Sequence, residues 1–335
     1  MNKKLSLMAI ASALPEKIVD NSFFAGISDS NSKMFKGTKY RRHVEQNEGE
    51  VDLFERAARK MAEEKGIDLR EEVDAILTNV SIPELPFTGC GAILAKRLNL
   101  KPRFIFDVHN GGCVSFITLM ELAQILINNP QKNIKRILIC VGQTAAGRIF
   151  SLPGVNDKAQ AAIPGDGASV ALFHDEGDNQ VEHILVKNYP EYSTDMTIAR
   201  EDESRWWQPS ISPGSVDFSE GKISAVIMRG NRIVPVVMHE ILKESKNSAK
   251  EIDLLITNQP NPFFLRNWRE SIQVPAEKHF DTFEDYANLF QAGIPINLDL
   301  AIRKGVIKDK AKILLAGFSH AGDYTAAAIL NFGKQ

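Results

Sequence analysis

Cysteine is scarce in this 335-residue chain, which has only Cys90, Cys113 and Cys140. An odd number without C-x-x-C spacing excludes a paired disulfide framework and a cysteine metal cluster, and it fits a reducing compartment. An excess of one charge is missing as well. A formal net charge of −2 and a pI near 6.4 leave no general grip for polyanions, which excludes nucleic acid as a partner. A local basic patch of Lys33, Lys36, Lys39, Arg41 and Arg42 remains as a docking face for an acidic protein. No apolar run approaches the roughly 20 residues that cross a bilayer. The apolar stretch behind Lys3 and Lys4 is short and runs into Leu14-Pro15-Glu16-Lys17, so it reads as a first β-strand and not as a signal peptide. No compositionally biased tract interrupts the chain, and a cytoplasmic protein ordered nearly throughout is expected.

Short aliphatic runs predict strands over Ala75 to Val80, Phe104 to Val108, Ile137 to Val141, Ala168 to Phe173, Leu254 to Thr257, Ile313 to Ala316 and Ala326 to Phe332. Helical periodicity appears over Val51 to Lys65, Gly91 to Leu98, Val114 to Asn128, Ile233 to Lys246 and Ile296 to Lys304. The alternation defines an α/β protein. It also repeats. Glu72-Val73-Asp74-Ala75-Ile76-Leu77-Thr78-Asn79 is echoed by Glu251-Ile252-Asp253-Leu254-Leu255-Ile256-Thr257-Asn258, and Arg136-Ile137-Leu138-Ile139-Cys140 by Lys312-Ile313-Leu314-Leu315-Ala316. Order and spacing agree, which predicts two similar halves. Loops at the strand ends of such sheets carry the site, here 80–89, 109–113, 258–264, 286–293 and 317–324.

One of these loops holds a cysteine. Phe106-Asp107-Val108-His109-Asn110-Gly111-Gly112-Cys113 leads from a strand through two glycines into an almost entirely apolar helix. Unpaired amides at a helix start favour a thiolate and can hold a developing oxyanion, so Cys113 is the candidate nucleophile. Cys90 and Cys140 fall within helix and strand patterns and read as inert core residues. His43, His174, His183, His239 and His279 share no metal-ligand spacing, and no metal is expected.

Together, Leu14-Pro15-Glu16-Lys17, Arg41-Arg42, Pro83-Glu84-Leu85-Pro86-Phe87, the Cys113 elbow, Pro164-Gly165-Asp166-Gly167-Ala168, Asn258-Gln259-Pro260-Asn261 and Ala287-Asn288-Leu289-Phe290-Gln291-Ala292-Gly293 resemble consecutive landmarks of the ketoacyl-acyl-carrier-protein synthase III family. The resemblance spans the chain. It implies a five-layered αβαβα thiolase fold built from two duplicated α/β halves. Residues 1–175 would carry the nucleophile, and residues 176–335 would carry Asn258, Asn288 and His320. It implies an acyl-carrier-protein or CoA thioester as substrate, no separate cofactor, and a homodimer in which the loop with Phe87 reaches the neighbour's acyl pocket.

The family's catalytic Cys and Asn match Cys113 and Asn288, but its His is replaced by Asn258. An amide cannot titrate, so it can hydrogen-bond a carbonyl but cannot take a proton from an acceptor. The family's glycine-rich loop reads Phe318-Ser319-His320-Ala321-Gly322-Asp323-Tyr324, which puts His320 at the rim of the site. With Asp323 or Asp166 to orient it, His320 becomes a candidate base; otherwise it is an ordinary turn histidine. His109 either contacts the thiol or packs beneath the elbow. The family's adenine-stacking Trp has no counterpart, which favours carrier-protein thioesters, while Trp206-Trp207 either stacks a ring or walls the acyl pocket. Three functions remain open: acyl transfer from Cys113 to an oxygen or nitrogen acceptor, decarboxylative carbon–carbon bond formation, and a non-catalytic partner of an active synthase.

Overall fold

The aliphatic runs form the strands of a 10-stranded sheet in a computed structural model, which describes residues 3–24, 37–83, 88–109, 111–205, 207–216 and 220–333. In chain order these are β1 (Ser6–Ala13), β2 (Ala75–Val80), β3 (Phe104–Asp107), β4 (Arg136–Gln143), β5 (Gly167–His174), β6 (Gln180–Asn188), β7 (Leu254–Thr257), β8 (His279–Phe280), β9 (Ala311–Ser319) and β10 (Tyr324–Phe332). The sheet order is β8-β7-β9-β10-β6-β1-β5-β4-β2-β3. Its two sides repeat one plan. β2 lies parallel to β3 and β4, as β7 does to β8 and β9. β4-β5-β1 and β9-β10-β6 then continue antiparallel, and β1 meets β6 through Ser6 and Gln180.

The repeated aspartate has the same task on each side. Asp74 Oδ2 accepts the N–H groups of Lys135 and Arg136 at 3.0 Å, and Asp253 Oδ2 accepts that of Lys312 at 2.9 Å. Each carboxylate satisfies backbone donors where β4 or β9 enters the sheet, which is the physical content of the sequence echo.

The principal helices are α1 (Glu50–Lys65), α2 (Cys90–Arg97), α3 (Ser115–Ile127), α4 (Glu220–Glu244), α5 (Pro262–Ser271) and α6 (Gly293–Arg303). Alternate strand residues face opposite sides, so each strand feeds two cores. Ile76 packs with Phe54 of α1 and Leu94 of α2, whereas Leu77 joins Phe116 of α3 and Leu298 of α6. On the other side Leu255 and Leu314 pack with Val237 of α4 and Leu265 of α5, while Ile256 and Leu315 join the α3–α6 core. The result is five layers, αβαβα, with α3 and α6 in the middle. None of the described helices is long and apolar enough to cross a membrane.

Two expectations change, and part of the rest lies outside the described residues. α4 begins at Glu220 and runs through Pro235, well ahead of the periodic stretch that starts at Ile233. Arg41 is 1 % exposed, its guanidinium donating to Asn21 Oδ1 and the Ala162 carbonyl beside the Phe24 ring, so it belongs to no docking patch. Burial lowers its pKa to about 10. Lys33, Lys36 and Phe87 lie outside the described residues.

Candidate active site

Cys113 sits in a single 3-10 turn, Gly112–Val114, that opens directly into α3. Gly111 and Gly112 hold left-handed φ values of +108° and +46°, which glycine adopts without penalty. At Gly112 space matters too. A Cβ there would lie 2.7 Å from Cε1 and Nε2 of His320, so the bare glycine lets that edge of the imidazole sit against the cysteine loop.

His320 occupies the turn after β9 with φ +44°, and its Nδ1 lies 3.1 Å from both carboxylate oxygens of Asp323. Asp323 therefore fixes the ring, and the Nε2 edge is the one left toward Gly112. Asp166 does not take part. Its carboxylate is fully buried, accepting from the backbone N–H groups of Val44, Ala146 and Gly147, and burial pushes its pKa up to about 7.

Burial pushes the Cys113 thiol up to about 12. The backbone N–H of His320 pulls it down, the Asp323 carboxylate raises it further, and the Cys113 amide lowers it. Burial thus outweighs the two amides at the helix start and favours the thiol over the thiolate. Those two amides also converge on the sulfur, the arrangement needed to hold an oxyanion on an acyl group attached there.

A cavity of about 680 Å³ brings Cys113, Asn258, Asn288, His320 and Asp323 together. Ile149, Phe150, Met196, Ile198, Val226 and Ile227 give it an apolar wall suited to an acyl chain. Asn258 is 2 % exposed, and its carboxamide is taken up by one residue: Nδ2 donates to the Phe318 carbonyl at 3.1 Å and Oδ1 accepts the Phe318 N–H at 3.3 Å. Asn288 differs. Its Oδ1 accepts the Phe290 N–H at 3.0 Å, while its Nδ2 donates to none of the described residues.

Sequence reasoning overlooked the support beneath Asn288. The buried Gln259 donates from Nε2 to the Ala287 carbonyl at 2.5 Å, and its Oε1 accepts from Asn297 Nδ2 at 2.8 Å and the Thr282 N–H at 3.2 Å. It holds Ala287 at φ +59° and ψ −149°, a conformation strained for a residue with a side chain. His109 is exposed and lines the cavity. Trp207 is 64 % exposed, outside the cavity lining, with the Arg205 guanidinium 6.0 Å from its ring; Trp206 lies outside the described residues. Among the described residues no cluster of His, Cys, Asp or Glu has metal-binding geometry.

The duplicated sheet, the five layers and a cysteine turn facing residues from the opposite half define a thiolase-fold protein. Residues 242–332 match the profile of the 3-oxoacyl-[acyl-carrier-protein] synthase III C-terminal family. Over 346 aligned residues the chain is 28 % identical to a β-ketoacyl-[acyl-carrier-protein] synthase III of Campylobacter jejuni, covering 99 % of each chain. Its fold resembles the β-ketoacyl-[acyl-carrier-protein] synthase III structure from Thermus thermophilus, with TM-score 0.84, 22 % identity and coverage of 98 % and 100 % of the two chains. The priming β-ketosynthase of the R1128 polyketide pathway gives TM-score 0.84 at 18 % identity, with coverage of 99 % and 97 %. The chain is thus similar over its whole length to ketoacyl-acyl-carrier-protein synthase III proteins and shares their fold, and its C-terminal part matches that family's profile.

Proposed function

We propose that this protein is an acyltransferase that loads an acyl group on Cys113 from a carrier-protein or CoA thioester and passes it to an oxygen or nitrogen acceptor. In the first half-reaction His320 Nε2 takes the thiol proton, Sγ attacks the thioester carbonyl, and the departing pantetheine thiolate receives that proton. In the second, Nε2 takes the proton of an acceptor O–H or N–H. The acceptor then attacks the acyl carbon, and the Cys113 thiolate leaves and is reprotonated. The amides of Cys113 and His320 hold the oxyanion in both steps.

The observation that carries this reading is the His320–Asp323 pair, whose free imidazole edge faces Gly112 next to Cys113. Imidazole is the group able to deprotonate an acceptor, and Asn258 is already engaged by Phe318. Carbon–carbon bond formation from a malonyl thioester is the second reading, favoured by the names of the relatives and by the available Nδ2 of Asn288.

A homodimer joined along β3 accompanies the proposal, supported by the 41 % exposed Phe106 stacked on Phe104 at the sheet edge. A cytoplasmic setting suits three cysteines that form no disulfide.

The test is to acylate the purified enzyme with a panel of acyl thioesters, weigh the Cys113 adduct by intact mass, then chase it with alcohols, amines or malonyl-carrier thioester. Ester or amide products support the first reading. A fast decarboxylative product without them establishes the second.

A further inference from the structure

His320 is held from inside by Asp323, and the turn that carries it is held from outside by Arg229 of α4. Arg229 donates through Nη1 to the Ala321 carbonyl, within that turn, and through Nη2 to Asp195 Oδ2 at 2.7 Å. Its guanidinium lies 3.5 Å from the centroid of the Tyr192 ring. Its stem covers Gly322, where a Cβ would come within 2.6 Å of Arg229 Cδ at φ +99°, so the turn is shaped to accept it.

The side chain is 11 % exposed. A largely desolvated guanidinium with a carbonyl, a carboxylate and an aromatic face as partners is rigid, and Arg is the side chain that engages all three at once. The segment it reaches is also joined to the turn by the backbone, since Tyr189 N–H donates to the Asp323 carbonyl at 2.7 Å. That segment forms part of the cavity wall through Pro190, Ser193 and Met196.

We infer that Arg229 is the positioning residue of the His320 turn, tying it through Tyr192 and Asp195 to the segment whose Pro190, Ser193 and Met196 line the cavity, so that the imidazole edge stays aimed at the Cys113 acyl group. Arg229 touches neither substrate nor the reacting atoms and acts through His320. The inference rests on the reading of His320 as the base. It predicts that Arg229 matters for transfer out of the acyl-enzyme more than for thioester affinity.

The experiment is a double-mutant cycle on the full-length enzyme. Cys113 acylated by an acyl-CoA thioester is chased in single turnover with the alcohol or amine that gives product with wild type, and Arg229→Ala, Arg229→Lys, His320→Ala and the Arg229→Ala/His320→Ala double variant are compared with wild type. Arg229→Ala is expected to slow deacylation about tenfold with little change in KM for the thioester, as a small misplacement of a base does. Arg229→Lys, which keeps the charge but not the fork, is expected to recover part of the rate. In the His320→Ala background, removing Arg229 is expected to cost nothing further, because its effect passes through a residue already absent. Losses that multiply, or an Arg229→Ala enzyme at wild-type rate beside a slow His320→Ala enzyme, overturn the inference and leave the base reading intact. A His320→Ala enzyme that deacylates at wild-type rate overturns the base reading, and the inference with it.

Discussion

Asn258 pairs with Phe318 as a neighbouring strand would, giving its Nδ2 to the carbonyl and its Oδ1 to the N–H of the same residue. The carboxamide thus extends the β7–β9 pairing by one step beyond Thr257 and Ala316, the last paired residues. Phe318 in turn packs against Phe264 and Trp268, with ring centroids 5.5 Å and 5.8 Å away. Asn258 is anchored in a strand end two residues before His320.

Asn258→Ala leaves both backbone groups of Phe318 buried without their partner. The expected cost is about 1–3 kcal/mol of stability, read from the denaturant midpoint. Slower acyl transfer should accompany it, because the strand end that presents His320 loses its hold. An Asn258→Ala enzyme of unchanged stability would mean that water replaces the amide and that Asn258 anchors nothing.

Cys113→Ala should abolish the covalent acyl adduct with every thioester while leaving thermal unfolding close to wild type, since Cys113 is half-buried and belongs to none of the apolar cores. Intact mass spectrometry decides this. An adduct on the variant would place the nucleophile elsewhere.

Asp323→Asn keeps the shape of the turn and removes the negative charge that stabilises an imidazolium. Both half-reactions should fall by about 100-fold, the usual order for a compromised general base. Stopped-flow release of the pantetheine thiol checks the first half-reaction, and acceptor chase checks the second.

His279 is buried, with Nε2 3.1 Å from Thr257 Oγ1; burial foremost, with the charge of Arg269, lowers its pKa from 6.5 to about 3. The fold therefore holds it neutral, whereas the unfolded chain takes a proton below about 6.5. Its contribution to stability is present above that value and is lost as pH falls toward 3. Between pH 7 and pH 5, wild type should lose about 2 kcal/mol more stability than His279→Asn, following one extra proton bound on unfolding. Urea denaturation at the two pH values measures it, and equal losses would refute it.

The sheet was largely readable because its strands are short aliphatic runs, and because Asp74 and Asp253 mark the same backbone need twice. β6 escaped notice: most of Gln180–Asn188 is half-buried, so its residues blur the alternation that identifies a strand. α5 also escaped, although Asn261 capping the N–H groups of Phe263 and Phe264 with Pro262 at the first position is a helix-start signal. In the site, Cys113 was legible from its glycines and Asp323 from its place three residues after His320. Arg229 was not. Its partners lie 92 and 34 residues away, and only the folded chain brings them together. Likewise nothing in Asn258-Gln259 announced that both amides would be engaged within the protein, Asn258 by Phe318 and Gln259 by Ala287, Thr282 and Asn297.

The two sides of the sheet meet edge to edge through the single pair of Ser6 and Gln180, while α3 and α6 fill the layer between them. Cys113 leads into α3, and His320 follows a strand of the other side. The seating of α3 in that layer, through its own Phe116 and Met120 and through Ile294 and Leu298 of α6, therefore sets how the cysteine turn meets the His320 turn that it touches. Trimming one of these side chains, far from any reacting atom, retunes the catalytic distance.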